Sequence, residues 1–507
     1  MKFLFYSLMV LLFPFTLKAQ KLTFAEVLSD DRAEMNFEIL GKQGNRYVIY
    51  KEWRNKHYLT FYNAAMEVDE HIRIKELPDK TRGVDFISYP DKILMVYQFN
   101  DGKSFQCAAL EISNDGKVSA DPVPLDAARV SSSSGDQIFS VFATEDKQKI
   151  LIYKMLRSGD SLTLTTRVFD AGLNLQDIGV FKLSYNKDKE SFSDVAMSND
   201  GHLAMAKQTS RTRKERASAM DLMVFKKGMD TFQIYPAVLD GAYLDDVVIK
   251  TDNLNKRFVF NSLFSTEPRT LIAGLYNAAV PFDTSLSPIE ALNSFPDSLR
   301  SRFNTGGSSQ KAFEDLVIKQ VVIKKDGGWL ITAEENLTIR TGRRYDRYDY
   351  MFSDPYRYDY YNYMYNPAFS RPFYRGYPGF YDPSLRNEFE YQSNNILMIS
   401  YDPQLKANWD AVIPKRQNEY NTDQSVSFGV MNSGGMFHFL YGLRDRNSLS
   451  IGHTAVTPNG EINRFAPVQN RQRNYDFMPR YAKQVSYAGV IVPYQYNTRV
   501  GFALLEF

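Results

Sequence analysis

Three aspartates stand at matching places along this chain: Asp85, Asp194 and Asp246 each lie six residues before an acidic turn residue, Asp91, Asp200 or Asp252. Carboxylates set at one level of a repeating chain converge on the axis the repeats share, where they hold a cation or line a channel mouth. A wet channel accounts for them as well, since polar residues begin strands that open onto water. A denser set follows between about Arg340 and Tyr391, which carries 13 of the 33 tyrosines together with Arg343, Arg344, Arg347, Arg357, Arg371 and Arg375. Tyrosine brings a large ring with few rotatable bonds and arginine a stacking, forked donor, and both carry binding energy at interfaces. The candidate binding residues are therefore Arg344, Tyr345, Arg347, Tyr348, Tyr350, Tyr356, Tyr358, Tyr360, Tyr361, Tyr374, Arg375 and Tyr377. A basic run, Arg211, Arg213, Lys214 and Arg216, adds Arg211 and Arg213 to the set, although a solvated hairpin tip explains such a run too.

Other chemistries find no footing. The histidines, His57, His71, His202, His438 and His453, are scattered without an HExxH or paired arrangement, so no metal site is expected. A sialidase needs an arginine cluster, a tyrosine nucleophile and repeated Asp boxes, and only Lys325-Asp326-Gly327-Gly328-Trp329 is faintly like one box. A nucleophile elbow for a serine hydrolase is missing. Neither a catalytic residue nor a cofactor is assigned. Cys107, the single cysteine, falls inside the strand pattern Phe105–Leu110 and reads as a buried, inert thiol.

The elements that position these residues repeat. Alternating apolar strands run into tight turns near Gly44, Asp91, Lys147, Asp200, Leu254, Gly327, Gly434 and Gly489, mostly at a spacing of about 47 to 56 residues. A third strand follows each hairpin, as in His57–Asn63, Ser104–Ile112, Leu162–Phe169 and Thr270–Leu275, and several third strands reach a further turn that starts a fourth. The pattern predicts an all-β chain: a β-propeller of eight four-stranded blades, or seven if Asn36–Lys51 belongs to the closing blade. Lys21–Leu28 is a spare strand, and pairing it with the last strand, Arg499–Phe507, closes the ring and removes two sticky edges.

Two stretches break the rhythm. Ser287-Pro288-Ile289-Glu290 has the spacing of a capping box with proline at the first helical position, which predicts a helical insertion over 287–303. The Tyr/Arg-rich stretch over 340–391 falls between the second and third strands of blade six. Connections of that kind share one face of a propeller, so this stretch and the basic run at Arg211–Arg216 are expected on the same face.

Lys2, an apolar run of about 15 residues and Lys18-Ala19-Gln20 have the layout of a secretory signal peptide over 1–19, leaving 20–507 as one domain. The run is too short to span a membrane, and no transmembrane segment is expected later. The formal charge of +2 includes Lys2 and Lys18, so the exported chain is near neutral, and nucleic acid is not an expected partner.

Around the insertion the residues also carry a likeness. Asp326-Gly327-Gly328-Trp329 leading to Ala333-Glu334, then the tyrosine-rich stretch, Asn395-Ile396-Leu397, and Trp409 followed by Pro414-Lys415-Arg416-Gln417 resemble a family of exported, uncharacterised proteins of the Bacteroidetes. The resemblance is most specific over about Ala312–Gln417. It implies a propeller-like fold and a place in a Gram-negative envelope: periplasm, outer-membrane surface or outside the cell. It brings no catalytic residues. The resulting expectation is an envelope binding or scaffold module for a protein partner or a polysaccharide, without catalysis. The alternative is a carbohydrate-active enzyme, lyase or hydrolase, using carboxylates at the mouth of the central channel.

Overall fold

A computed structural model describes residues 20–79, 81–102, 104–129, 138–212, 215–283, 285–304, 313, 315–340, 343–345, 389–420, 422–445, 448–468 and 475–507. Among these residues the strands form eight antiparallel four-stranded units in chain order. Blade 1 comprises Asn36–Gln43, Arg46–Trp53, Lys56–Tyr62 and Val68–Ile74, and blade 2 comprises Thr81–Ser88, Lys92–Asn100, Phe105–Ser113 and Val123–Ala128. Blade 3 is Ser140–Ala143, Lys149–Ser158, Ser161–Asp170 and Leu175–Ser184. The first strand of blade 4 is broken into Glu190–Phe192 and Ala196–Met197, ahead of Leu203–Ser210, Ala217–Phe225 and Gln233–Pro236. Blade 5, Tyr243–Asp252, Arg257–Ser265, Gly274–Pro281 and Ile289–Ser294, is paired with the sheet of blade 4 at Ala217 and Leu244. Blades 6 and 7 begin at Leu316–Ile323 and Phe428–Ser433.

Hydrophobic clusters make these units a ring. Among the described residues there are eight, and each is shared by two consecutive blades. Tyr50 and Phe61 of blade 1 pack with Phe86 and Tyr97 of blade 2, and so on round to the eighth cluster, where Ile491 and Phe502 of blade 8 meet Phe37 and Ile49 of blade 1. Because side chains alternate along a strand, each sheet has two apolar faces to cover, and a ring covers both. Each fully buried large apolar side chain contributes roughly 1.5–3 kcal/mol. The chain is an eight-bladed β-propeller.

Closure follows the expected route. Blade 8 takes Gly489–Tyr496 and Arg499–Glu506 from the end of the chain, and Lys21–Phe24 completes it, with Leu22 opposite Leu505 and Phe24 opposite Ala503. Beside the seam, Lys51 Nζ lies 2.5 Å from Asp31 Oδ1 and donates to the Tyr62 hydroxyl at 2.9 Å, all three buried. Burial alone would lower the Lys51 pKa, but Tyr62 and Asp31 reverse that and raise it. Cys107 is buried, and burial pushes its thiol well up, which fits an inert group.

Two local readings are corrected. The third strand of blade 5 is Gly274–Pro281 rather than Thr270–Leu275, because Arg257–Ser265 pairs with it to its full length before the chain turns. Ser287-Pro288-Ile289-Glu290 starts no helix: Ile289–Ser294 pairs with Gly274–Ala279, and Glu290 accepts from the Tyr276 hydroxyl at 2.5 Å. An open sheet edge offers more hydrogen bonds than a local cap. The later part of the expected 287–303 insertion is helical, as Asp297–Asn304 after Pro296.

In blade 6 the residues that carry the family likeness come together. Glu334 of the second strand, Trp329–Arg340, is buried against Lys415, whose Nζ lies 2.7 Å from Glu334 Oε1 and donates to the Ser393 carbonyl at 3.0 Å and to Gln417 Oε1 at 2.7 Å. Lys319 approaches the same carboxylate at 3.4 Å, and the Ser427 hydroxyl of blade 7 donates to it at 2.6 Å. Asn395 Nδ2 donates to the Phe303 carbonyl at 2.7 Å.

Candidate active site in the central channel

The first strands of blades 1 to 5 converge, with Lys483 of blade 8, on a cavity of about 510 Å³ at one end of the ring axis. Its apolar lining is Leu40, Phe86, Ile87, Phe142, Ala143, Ala196, Met197 and Ile249. Ser88, Thr144, Thr251 and Asn253 supply polar groups, and Glu145, Lys147, Lys250 and Lys483 supply charge. An apolar wall with a few polar groups is the usual make-up of a ligand site.

The turns between first and second strands form the rim and are bonded from blade to blade. The Tyr89 hydroxyl donates to the Lys147 carbonyl at 2.9 Å, Asn199 N–H donates to Asn253 Oδ1 at 2.9 Å, and Lys256 Nζ reaches Asp200 at 2.8 Å. In blades 4 and 6 the fourth residue after the first strand is Gly201 or Gly327, with φ of +93° and +85°. Blade 3 places Lys147 there at φ +55°, a left-handed conformation that costs a side-chain-bearing residue about 1–2 kcal/mol. Such strain concentrates at functional sites. Lys147 Nζ donates to the Ser88 carbonyl at 2.6 Å, across the gap between blades 3 and 2.

Lys250 differs from every other group in the wall. It sits in the first strand of blade 5 opposite Val259, is half-buried, and lines the cavity. Among the described residues its amine has no hydrogen bond and no ion pair. Burial lowers its pKa from 10.5 to about 8, with Glu145 acting weakly in the other direction. Asn253 Nδ2 holds Glu145 at 2.8 Å. At neutral pH the site therefore offers an amine that gives up its proton easily, one fixed carboxylate and two further cations.

The three aspartates read from the sequence do not gather. Asp85 lies partly buried in the first strand of blade 2, Asp246 in the irregular register between Leu244 and Val247, and Asp194 in the break of blade 4. Asp194 accepts from the Tyr153 hydroxyl at 3.2 Å, and burial pushes it up to about 6. Among the described residues no group of three acidic, histidine or cysteine side chains is set to hold a metal ion.

Arg211 is exposed on the connection between the second and third strands of blade 4. Arg216, from the same basic run, is buried: Nη1 donates to Ser265 Oγ at 3.1 Å and to the Thr270 carbonyl at 2.6 Å, fastening blade 4 to blade 5. Arg344 and Tyr345 lie in a short strand, Arg343–Tyr345, paired with Thr338–Arg340. Arg213, Arg347, Tyr348, Tyr350, Tyr356, Tyr358, Tyr360, Tyr361, Tyr374, Arg375 and Tyr377 lie outside the described residues. The stretch containing most of them leaves blade 6 between Trp329–Arg340 and Phe389–Tyr401, at the opposite end of the blades from the cavity rim.

The histidines are not all scattered. His438 Nδ1 and His453 Nε2 are 2.8 Å apart, Gln20 Nε2 lies 2.8 Å from His453 Nδ1, and His438 Nε2 lies 3.2 Å from the Ser433 carbonyl. One set of tautomers satisfies every link: Gln20 donates to His453, His453 to His438, and His438 to Ser433. Cross-strand neighbours 15 residues apart carry no motif spacing, which is why sequence reading missed them.

Sequence reading also missed Lys250, Glu145 and Lys147. The available signal was a lysine at the end of the apolar run Val247-Val248-Ile249 and an acidic-basic turn where other blades have glycine.

No family model matches this chain, and no curated protein does. Solved structures do. Prolyl oligopeptidase B from Galerina marginata is 9% identical with a TM-score of 0.41, covering 92% of this chain and 56% of that one. The β-propeller domain of the Trilobed protease from Pyrococcus furiosus is 10% identical, with a TM-score of 0.34, covering 84% and 95%. A PL25 ulvan lyase is 8% identical with a TM-score of 0.36, covering 83% and 93%. The chain spans a little over half the length, 55% and 56%, of the first two prolyl peptidase structures it matches. These similar structures include enzymes, which corrects the expectation of a binding module without catalysis. The propeller itself rests on the sheet pattern, and the chemistry on the cavity.

No helix among the described residues is long and apolar enough to cross a membrane.

Proposed function

We propose that this chain is an exported carbohydrate-active enzyme of the lyase type, working on an acidic polysaccharide in the cavity at the end of the channel. The observation that carries the reading is the unpaired amine of Lys250 on the cavity wall beside a single lining carboxylate, Glu145, and two more lysines. A glycoside hydrolase ordinarily needs two carboxylates flanking the bond. Elimination needs something else: a base for the proton beside a carboxylate, and positive charge to stabilise the anion that forms.

Each residue has a role in that chemistry. Lys147 and Lys483 face the uronate carboxylate and make the neighbouring C–H more acidic. Neutral Lys250 takes that proton, the electron pair becomes the new C=C bond, and the glycosidic C–O bond breaks. The proton then passes from the Lys250 ammonium to the leaving oxygen. Ser88, Thr144 and Thr251 orient the sugar hydroxyls.

The full chain is assayed on polyuronates by the ultraviolet absorbance of the unsaturated product. The expected rate rises with pH through about 8, because the base must be neutral. Lys250→Met is expected to lose about 100-fold or more. New reducing ends without unsaturated product, or turnover indifferent to Lys250, would overturn the reading.

A further inference from the structure

We propose that Lys250 is a carbonyl-reactive amine and that the cavity forms a Schiff base with small anionic aldehydes. The inference goes beyond the lyase reading and stands without it, since it needs only the amine, its access and the charges around it.

Three features of the wall support it. The Lys250 amine is unpaired among the described residues, so no hydrogen bond must break before its lone pair can attack. It opens onto a cavity of about 510 Å³, large enough for a substituted aromatic ring. Lys147 and Lys483 lie in the same wall and supply charge for an anionic substituent, while Glu145, held by Asn253, can carry protons. The lowered pKa of Lys250 agrees, because a larger share of the amine is neutral at physiological pH than for an ordinary lysine.

The step balances without an oxidant or reductant. The neutral nitrogen adds to the carbonyl carbon, and one of its two protons passes through Glu145 to the carbonyl oxygen to give a carbinolamine. The nitrogen lone pair then expels the hydroxyl, which leaves as water with the second nitrogen proton, again carried by Glu145, and the C=N bond forms.

The test uses the full chain with pyridoxal 5′-phosphate, followed by borohydride reduction and peptide mapping. Lys250 is expected to carry most of the label, at least ~10-fold faster than any other lysine, and pyridoxal without its phosphate is expected to label it much more slowly. Lys250→Arg should lose that label while keeping the β-sheet circular dichroism spectrum. If that variant does not fold, the pH dependence of labelling in the unaltered chain decides: a half-maximal rate near pH 8 supports the proposal, and one near the ordinary 10.5 overturns it. Label spread over exposed lysines, or equal labelling by the uncharged aldehyde, also overturns it. Labelling at Lys250 in a chain inert on polyuronates would leave this inference standing and the lyase reading fallen.

Discussion

Two of the lysines inside this ring are handled in different ways. Lys415 has a side chain with no exposed surface, and it is matched: it pairs with Glu334 and donates to the Ser393 carbonyl and to Gln417. Burial would raise Glu334, yet Lys415 and Lys319 outweigh it and hold the carboxyl down at about 2. Burial lowers the pKa of both lysines, against the pull of Glu334 on Lys415 and of Glu145 on Lys250, but Lys250 makes no hydrogen bond or ion pair among the described residues. A charge matched on every side fixes a geometry, and a charge left unmatched is poised to lose its proton. The first belongs to the frame of blade 6 and the second to a site.

The comparison breaks most readily at Lys415. Removing one partner of a buried pair strands the other, so Lys415→Met is expected to cost about 3–5 kcal/mol in chemical denaturation. A loss under about 1 kcal/mol would mean that the network is not holding the blade.

Lys250→Met should behave the other way. The folded pKa of Lys250, about 8, is below its ordinary 10.5, so between those values the unfolded chain binds more protons and stability rises with pH. Below pH 8 the full penalty is present, on the order of 3 kcal/mol. The variant is therefore expected to be at least as stable as the unaltered chain at pH 7 and to lack its extra rise toward pH 10. Denaturation at several pH values checks this, and a variant less stable at pH 7 would assign Lys250 a structural role.

A smaller effect sharpens the contrast from a third, neutral network. Burial, with His438 adding to it, lowers His453 from 6.5 to about 4, so the Gln20–His453–His438 chain is built from uncharged rings. The stability it adds is complete above pH 6.5 and is lost as pH falls toward 4, because the unfolded chain binds protons first. His453→Asn is expected to flatten that acid limb by about 1–2 kcal/mol, read from melting temperatures across the range. An unchanged limb would place the acid sensitivity elsewhere.

Much of the frame could be read directly. Seven of the eight expected third strands overlap their observed positions closely, as with His57–Asn63 against Lys56–Tyr62, because period-two alternation reports a strand packed between two neighbours. The capping-box reading at Ser287 failed for the reason that propensity often fails: the edge of Gly274–Pro281 was waiting for a partner. Arg216 read as part of a solvated run, and only the approach of blade 5 shows where its guanidinium goes. The cavity was the least legible part, since its lining comes from six blades.

The sequence alone determined the strand count, the order of the blades and the joining of Lys21–Phe24 to the last strand, because these depend on alternation and turn chemistry that act over a few residues. Tertiary structure decided which charges meet. Lys415 found a carboxylate 81 positions away, and Lys250 formed no ion pair among the described residues. Burial and pairing are properties of the space between blades, and local spacing does not encode that space.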